Sequence, residues 1–250
     1  MAQGTVVITG ASSGFGEAAA LAFAKLSHPL VLGARRMDRL QKVAEAARKA
    51  GSPRALALPL DVREADSIHK FAAAAELETP HILINNAGGA LGRDKLAEFK
   101  DEDLLGMVEA NLVGLLRMTR ALLPGMIRRN AGHIINISSY AAYGTYEGGG
   151  IYAPVKHAVR AVSDTLRLEL NGTEIRVSDI APGLAETEFS IVRLGSTDKA
   201  KQVYAGMRPL TAQDVAEVIV WVATRPQHVN ISQVLLNPTD QGSLTKVHRN

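Results

Sequence analysis

Ser139, Tyr152 and Lys156 are the residues whose types and order are best suited to chemistry, with the serine thirteen positions ahead of Tyr152 in the run Ile151-Tyr-Ala-Pro-Val-Lys156. A four-residue step places two side chains on one helix face, so the Lys156 ammonium can lie near the Tyr152 phenol. A free phenol titrates near about 10, and a nearby positive charge favours its ionised form, easing proton exchange near neutral pH. Ser139 supplies a hydrogen-bond donor for an oxygen on which charge develops. The bland alternative is a buried tyrosine beside a surface lysine, and a bare Tyr-x-x-x-Lys is weak by itself. The ordered set is stronger, because the chain also opens with the glycine-rich turn Thr9-Gly-Ala-Ser-Ser-Gly-Phe-Gly16. Together they point to a redox enzyme that uses a dinucleotide.

These groups need elements to hold them. Pro154 is tolerated only in the first turn of a helix, so a helix should begin close to Tyr152, after the flexible run Gly148-Gly-Gly150. Gly10, Gly14 and Gly16 fall between a first strand and a first helix, where glycine lets backbone N–H groups approach a pyrophosphate at the helix N-terminus. Ser12, Ser13 and Phe15 complete that cofactor turn. After the second strand the chain reads Leu32-Gly-Ala-Arg-Arg36, with no carboxylate to bind a free ribose hydroxyl. Arg35 and Arg36 instead suit a 2′-phosphate, which makes NADP(H) the expected cofactor; the alternative is two solvated arginines. Asp61 and Val62 either contact the adenine, or Asp61 caps the next helix.

Short apolar runs alternate with longer amphipathic stretches. Strands are expected at Thr5–Thr9, Pro29–Gly33, Ala55–Pro59, His81–Ile84, His133–Ser138, Ile175–Ile180 and Ser232–Leu236, and a helix around Ala212–Ala223. This rhythm predicts an α/β doubly wound Rossmann fold, a seven-stranded parallel sheet with helices on both faces. Residues 1–250 are read as a single NADP(H)-binding domain. Within it, the weakly patterned segment 184–208 is either a substrate-covering lobe or an ordinary pair of surface helices.

Composition narrows the classes. The chain has 250 residues, 46% hydrophobic, with a formal charge of +3 and no basic block, so nucleic acid is not an expected partner. It has no cysteine, which excludes disulfides and thiol catalysis, and its seven histidines have no metal-ligand spacing, so no metal is expected. No targeting or membrane-length apolar segment is found, and a cytoplasmic protein is expected.

The chain closely resembles the classical short-chain dehydrogenase/reductase family. The resemblance is carried by Thr9-Gly-x-x-x-Gly14-x-Gly16, Asn85-Asn-Ala-Gly88, Asn111, Ser139, Tyr152/Lys156 and Pro182-Gly183. It implies that Tyr152 is the acid/base, that Ser139 orients the reacting oxygen, and that Lys156 binds the nicotinamide ribose and lowers the Tyr152 pKa. Asn111 would support a water-linked proton relay; read from its own chemistry it could equally be a helix-interior amide satisfied locally. Asn85, Ala87 and Gly88 would close the cofactor pocket, with Pro182, Gly183 and Thr187 opposite. Further segments, among them Ala34-Arg-Arg-x-x-Arg-Leu40, Glu188-Phe-Ser-x-Val-Arg193 and the tail Val247-His-Arg, are similar to the branch of NADP-dependent 3-hydroxy acid dehydrogenases. That branch implies a small 3-hydroxy acid substrate of the serine, allo-threonine or 3-hydroxypropanoate type, and a homotetramer. Sulfoacetaldehyde reductases look much the same.

A hydroxy acid requires a cation not already committed to cofactor phosphate. Arg193, near Phe189 in the presumed lobe, is the candidate, its alternative being a surface arginine. Tyr146, and less so Tyr140 and Tyr143, would line the same pocket. The runner-up functions are reduction of sulfoacetaldehyde or another small aldehyde or ketone, and a catalytically silent NADPH-binding sensor.

Overall fold

A computed structural model describes residues 4–250. Seven parallel strands run in the order β3-β2-β1-β4-β5-β6-β7. They are β1 Thr5–Thr9, β2 Leu30–Ala34, β3 Ala55–Pro59, β4 Pro80–Asn85, β5 Gly132–Ile137, β6 Ile175–Pro182 and β7 Gln233–Leu236. The Rossmann expectation is met, and the expected strand positions differ from these by no more than two residues at either end.

The β1, β2, β5 and β6 segments are rich in β-branched and aliphatic residues because they are covered on both faces. Side-chain alternation then splits the core into two layers. Val6 and Ile8 pack on one side with α1 (Gly14–Lys25), α2 (Met37–Lys49) and α9 (Ala212–Ala223) through Phe23, Leu40 and Ile219. Val7 and Val31 face the other side, against α3 (Ala65–Glu76), α5 (Gly114–Arg129) and α6 (Tyr152–Glu169) through Phe71, Leu122 and Leu166. Helix α9 starts where expected because Thr211 and Asp214 form a reciprocal cap: the Asp214 N–H donates to Thr211 Oγ1 at 3.2 Å and the Thr211 N–H to Asp214 Oδ2 at 2.7 Å.

Helix α4 (Asp101–Val108) runs into α5 through a π-helical stretch, Glu109–Val113, that carries Asn111. The segment after β6 folds into two short helices, α7 (Glu188–Leu194) and α8 (Thr197–Tyr204). They are fastened below by Tyr204, whose hydroxyl donates to Ala185 O at 2.8 Å and shares a hydrogen bond with Ser190 Oγ at 2.7 Å. Chain order reverses between β1 and β4, where an open α/β sheet leaves a crevice at its carboxyl edge. Among the described residues no helix is long and apolar enough to cross a membrane.

Candidate active site

A cavity of about 520 Å³ opens at that crevice, lined at one end by Ser12, Ser13 and Arg36 and at the other by Ser139, Tyr152 and Arg193. Helix α6 begins at Tyr152 with Pro154 in its first turn, as the missing N–H requires. Tyr152 and Lys156 are therefore one turn apart on its buried face. Ser139 lies two residues beyond β5 and caps the following turn, its Oγ accepting the Ala141 N–H at 3.1 Å. That bond leaves the hydroxyl hydrogen for a second partner, and hydrogen bonding with Tyr152 is within its reach.

Burial dominates the electrostatics of the central pair. The Lys156 ammonium donates to Ile137 O at 3.0 Å and lies 5.6 Å from the Tyr152 ring centre. Burial pushes the Tyr152 phenol up to about 12, opposed by hydrogen bonding with Ser139 and by the Arg193 charge. Burial likewise lowers Lys156 to about 8, with the Asp179 carboxylate opposing. The resemblance implies a lysine that lowers the tyrosine; burial is the largest influence on the phenol here, and the ammonium's hydrogen bond goes to the Ile137 carbonyl.

Phe189 of α7 packs against Tyr152 at 5.6 Å between ring centres. Arg193, one turn on, donates from Nε to Gly92 O, from Nη1 to Tyr146 Oη and from Nη2 to Gly148 O, each at 3.0 Å. Its guanidinium lies 5.5 Å from the Tyr152 ring centre. Three of five N–H groups are thus used, and one on each terminal nitrogen remains. Tyr140 and Tyr146 line the cavity. Tyr143 does not; its ring stacks under Arg160 at 4.3 Å.

At the opposite end the glycines act by proximity. A Cβ on Gly10, whose φ is +68°, would stand 2.9 Å from Ala87 Cα, and one on Gly16 would stand 2.5 Å from Gly10 O. Gly10, Gly14 and Phe15 line the cavity, while Gly16 lies beneath the turn and lets the helix approach it. Arg36 donates to Ser13 Oγ at 2.6 Å and to Ser12 Oγ at 3.3 Å. Arg35 is exposed on the rim. Asp61, Val62, Ala87, Gly88, Pro182, Gly183 and Thr187 complete the walls. These residues fit a dinucleotide, because the turn offers backbone that a side chain would obstruct and Arg36 offers a cation beside it.

Three expected site residues stand back from the cavity. Asn85 is buried under it, its Nδ2 donating to Thr119 Oγ1 and Asn136 Oδ1 at 2.9 Å, so it braces β4 against α5 and β5. Asn111 spends both amide hydrogens on Gly89 O and Met107 O at 2.8 Å and accepts from Gly89 N at 3.1 Å. Its side chain thereby joins the π-helical stretch to the loop after β4. Gly16 is the third. The capping alternative for Asp61 is also overturned: Glu64 holds the N-cap position of α3, without a side-chain capping bond, and the Asp61 carboxylate takes Arg63 Nη2 at 2.6 Å. That pairing holds the Asp61 carboxyl below its usual range.

Asn86, inside the Asn85-Asn-Ala-Gly88 run expected to close the cofactor pocket, lines the cavity and donates from Nδ2 to Thr9 O at 2.9 Å and Gly10 O at 3.2 Å, tying the glycine turn to the end of β4. Other participants escaped the sequence reading. Asp179, buried in β6, has its carboxyl raised by burial and drawn back by Ser138 and Lys156. Glu188 meets Arg36 across 152 positions, a separation no local pattern spans.

Comparison with known proteins agrees with this geometry. A family model described as short chain dehydrogenase matches residues 4–194. The NADP-dependent 3-hydroxy acid dehydrogenase of Salmonella typhi is 42% identical over 249 residues, covering 98% of this chain and 99% of that protein. The serine 3-dehydrogenase of Agrobacterium fabrum is 39% identical over 242 residues, covering 96% and 95%. Among solved structures, the closed form of a serine dehydrogenase complexed with NADP+ is similar at a TM-score of 0.91 and 41% identity, over 98% of this chain and 100% of that one. With the Ser139 and Tyr152 hydroxyls, the glycine turn and the sheet order all in agreement, the chain belongs to the short-chain dehydrogenase family.

Proposed function

We propose that this chain is an NADP(H)-dependent oxidoreductase that interconverts a small 3-hydroxy acid, of the serine, allo-threonine or 3-hydroxypropanoate type, with its 3-oxo acid or semialdehyde. The observation that carries the reading is one cavity with Tyr152, Ser139 and Arg193 at one end and Arg36 on the glycine turn at the other. The named activities of the relatives from Salmonella typhi and Agrobacterium fabrum support it.

In the oxidation direction, Tyr152 takes the hydroxyl proton of the substrate and returns it in reduction. Ser139, its oxygen already occupied by the Ala141 N–H, donates its hydrogen to the reacting oxygen as charge develops there. Lys156, with one N–H on Ile137 O, has two left for the nicotinamide ribose. Gly10, Ser12, Ser13 and Gly14 would hold the pyrophosphate and Arg36 the 2′-phosphate. When bound, the nicotinamide supplies the hydride chemistry. The two free N–H groups of Arg193 would hold the substrate carboxylate, and the 184–208 segment, carrying Phe189 and Arg193, serves as the lobe that covers it and excludes water. A guanidinium also suits a sulfonate, which keeps a sulfoacetaldehyde-type substrate as the second reading. The chain acts as a cytoplasmic homotetramer, an assembly that light scattering after gel filtration would test.

Initial rates at the NADPH absorbance band, with NADP+ or NAD+ against L-serine, 3-hydroxypropanoate and hydroxyethanesulfonate, test the function. Preferential NADP+ reduction with a hydroxy acid is expected. Turnover of the sulfonate alone would move the substrate to the second reading, and no turnover with any of the three would refute the hydroxy acid assignment.

A further inference from the structure

The glycine turn and the 184–208 segment meet at a single charged knot. Glu188, the first residue of α7, places Oε2 2.9 Å from Arg36 Nη1 and Oε1 2.5 Å from Arg39 Nη1. The same Arg36 side chain donates to Ser12 and Ser13 of the turn. Glu17 adds a second carboxylate, its carboxyl raised by burial and by the Glu188 charge, with Arg39 and Arg36 opposing. Glu188 thus meets two guanidiniums at once, with Glu17 close behind it. A phosphate dianion at Arg36 would meet a carboxylate already in its place and repelling it.

We propose that Glu188 occupies the position of the cofactor's 2′-phosphate, competes with it for Arg36 and Arg39, and so sets how strongly the chain prefers a 2′-phosphorylated dinucleotide. This rests on the NADP(H) reading above. Both ion pairs are substantially exposed, with side-chain exposures of 41% and 40% for Arg36 and Glu188 and 47% for Arg39, so a dianion can displace the carboxylate at modest cost. The carboxylate also sits at the N-terminus of α7, where Thr187 Oγ1 accepts the Phe189 N–H at 3.2 Å, so the helix keeps its cap when Glu188 lets go. The residue that yields to the phosphate begins the helix that carries Phe189 and Arg193.

Calorimetric titration with 2′,5′-ADP and with ADP separates the 2′-phosphate from the rest of the nucleotide and needs no turnover. Glu188→Gln should tighten 2′,5′-ADP by about fivefold and leave ADP within about twofold, as expected for loss of one exposed competitor. Glu188→Ala should repeat the result, and unchanged circular dichroism should show both variants folded. Unaltered or weaker 2′,5′-ADP binding in both variants overturns the competition, weaker binding meaning that Glu188 instead orients Arg36. Equal affinity of the unmodified protein for both probes would overturn the NADP(H) reading itself, and the competition with it.

Discussion

The Lys156 ammonium lies 5.6 Å from the Tyr152 ring centre but points its recorded hydrogen bond at Ile137 O, so the charge that should ease phenol ionisation is shared with a carbonyl. Both groups are buried, and burial drives their proton affinities apart from the usual values in opposite senses, tyrosine up to about 12 and lysine down to about 8. A lysine folded at about 8 and unfolded near 10.5 binds fewer protons folded than unfolded between those values. Stability from this group is therefore gained as pH rises from about 8 and is absent below it. Lys156→Met should then be more stable than the parent at pH 7, on the order of 2 kcal/mol, with the gap narrowing toward pH 10. Urea midpoints across that range measure it, and a gap that does not change with pH would contradict the burial argument.

Tyr152→Phe removes the phenol whose ring packs on Phe189 and whose hydroxyl meets Ser139. Turnover should fall by about a thousandfold or more, the range of a lost acid/base, while NADPH binding stays within a few-fold. Retained turnover would sink the assignment of Tyr152 as acid/base.

Arg36→Asp exchanges the guanidinium on Ser12 and Ser13 for a carboxylate. NADPH should bind about 10- to 100-fold more weakly, and NADH more tightly, since a carboxylate repels a 2′-phosphate and accepts a ribose hydroxyl. Fluorescence titration with both cofactors reads the ratio.

Arg193→Leu loses the bonds to Gly92 O, Tyr146 Oη and Gly148 O together with the cation. The KM for the hydroxy acid should rise by about tenfold or more, the range for losing a charge-assisted hydrogen bond. Tyr146→Phe, which removes only one of Arg193's partners, should have a smaller effect. An unchanged KM in Arg193→Leu would refute the carboxylate-binding role.

Asn85→Ala tests the separation between the cavity and its support. Thr119 and Asn136 would be left with unmet hydrogen-bonding groups beneath the sheet, costing about 1–3 kcal/mol. NADPH affinity per folded molecule should hardly move; a large loss of affinity at full stability would return Asn85 to the cofactor wall.

Much of this protein was legible in its sequence, because the signals are local. Strand runs such as Thr5–Thr9 and Ala55–Pro59 and the start of α6 at Tyr152 follow from side-chain branching and proline's missing N–H. The glycine turn and the Ser139, Tyr152 and Lys156 set were legible for the same reason. What only the tertiary structure decided depends on groups brought together from far along the chain. Asn85 and Asn111 carry motif identity, yet their amides are consumed by Thr119, Asn136, Gly89 and Met107, since a buried amide takes the nearest partners. Glu188 reaches Arg36, and Arg193 reaches Gly92, only because β6 delivers α7 to the carboxyl edge of the sheet. Burial at that edge, which no residue's own type reveals, sets the proton affinities of Tyr152 and Lys156.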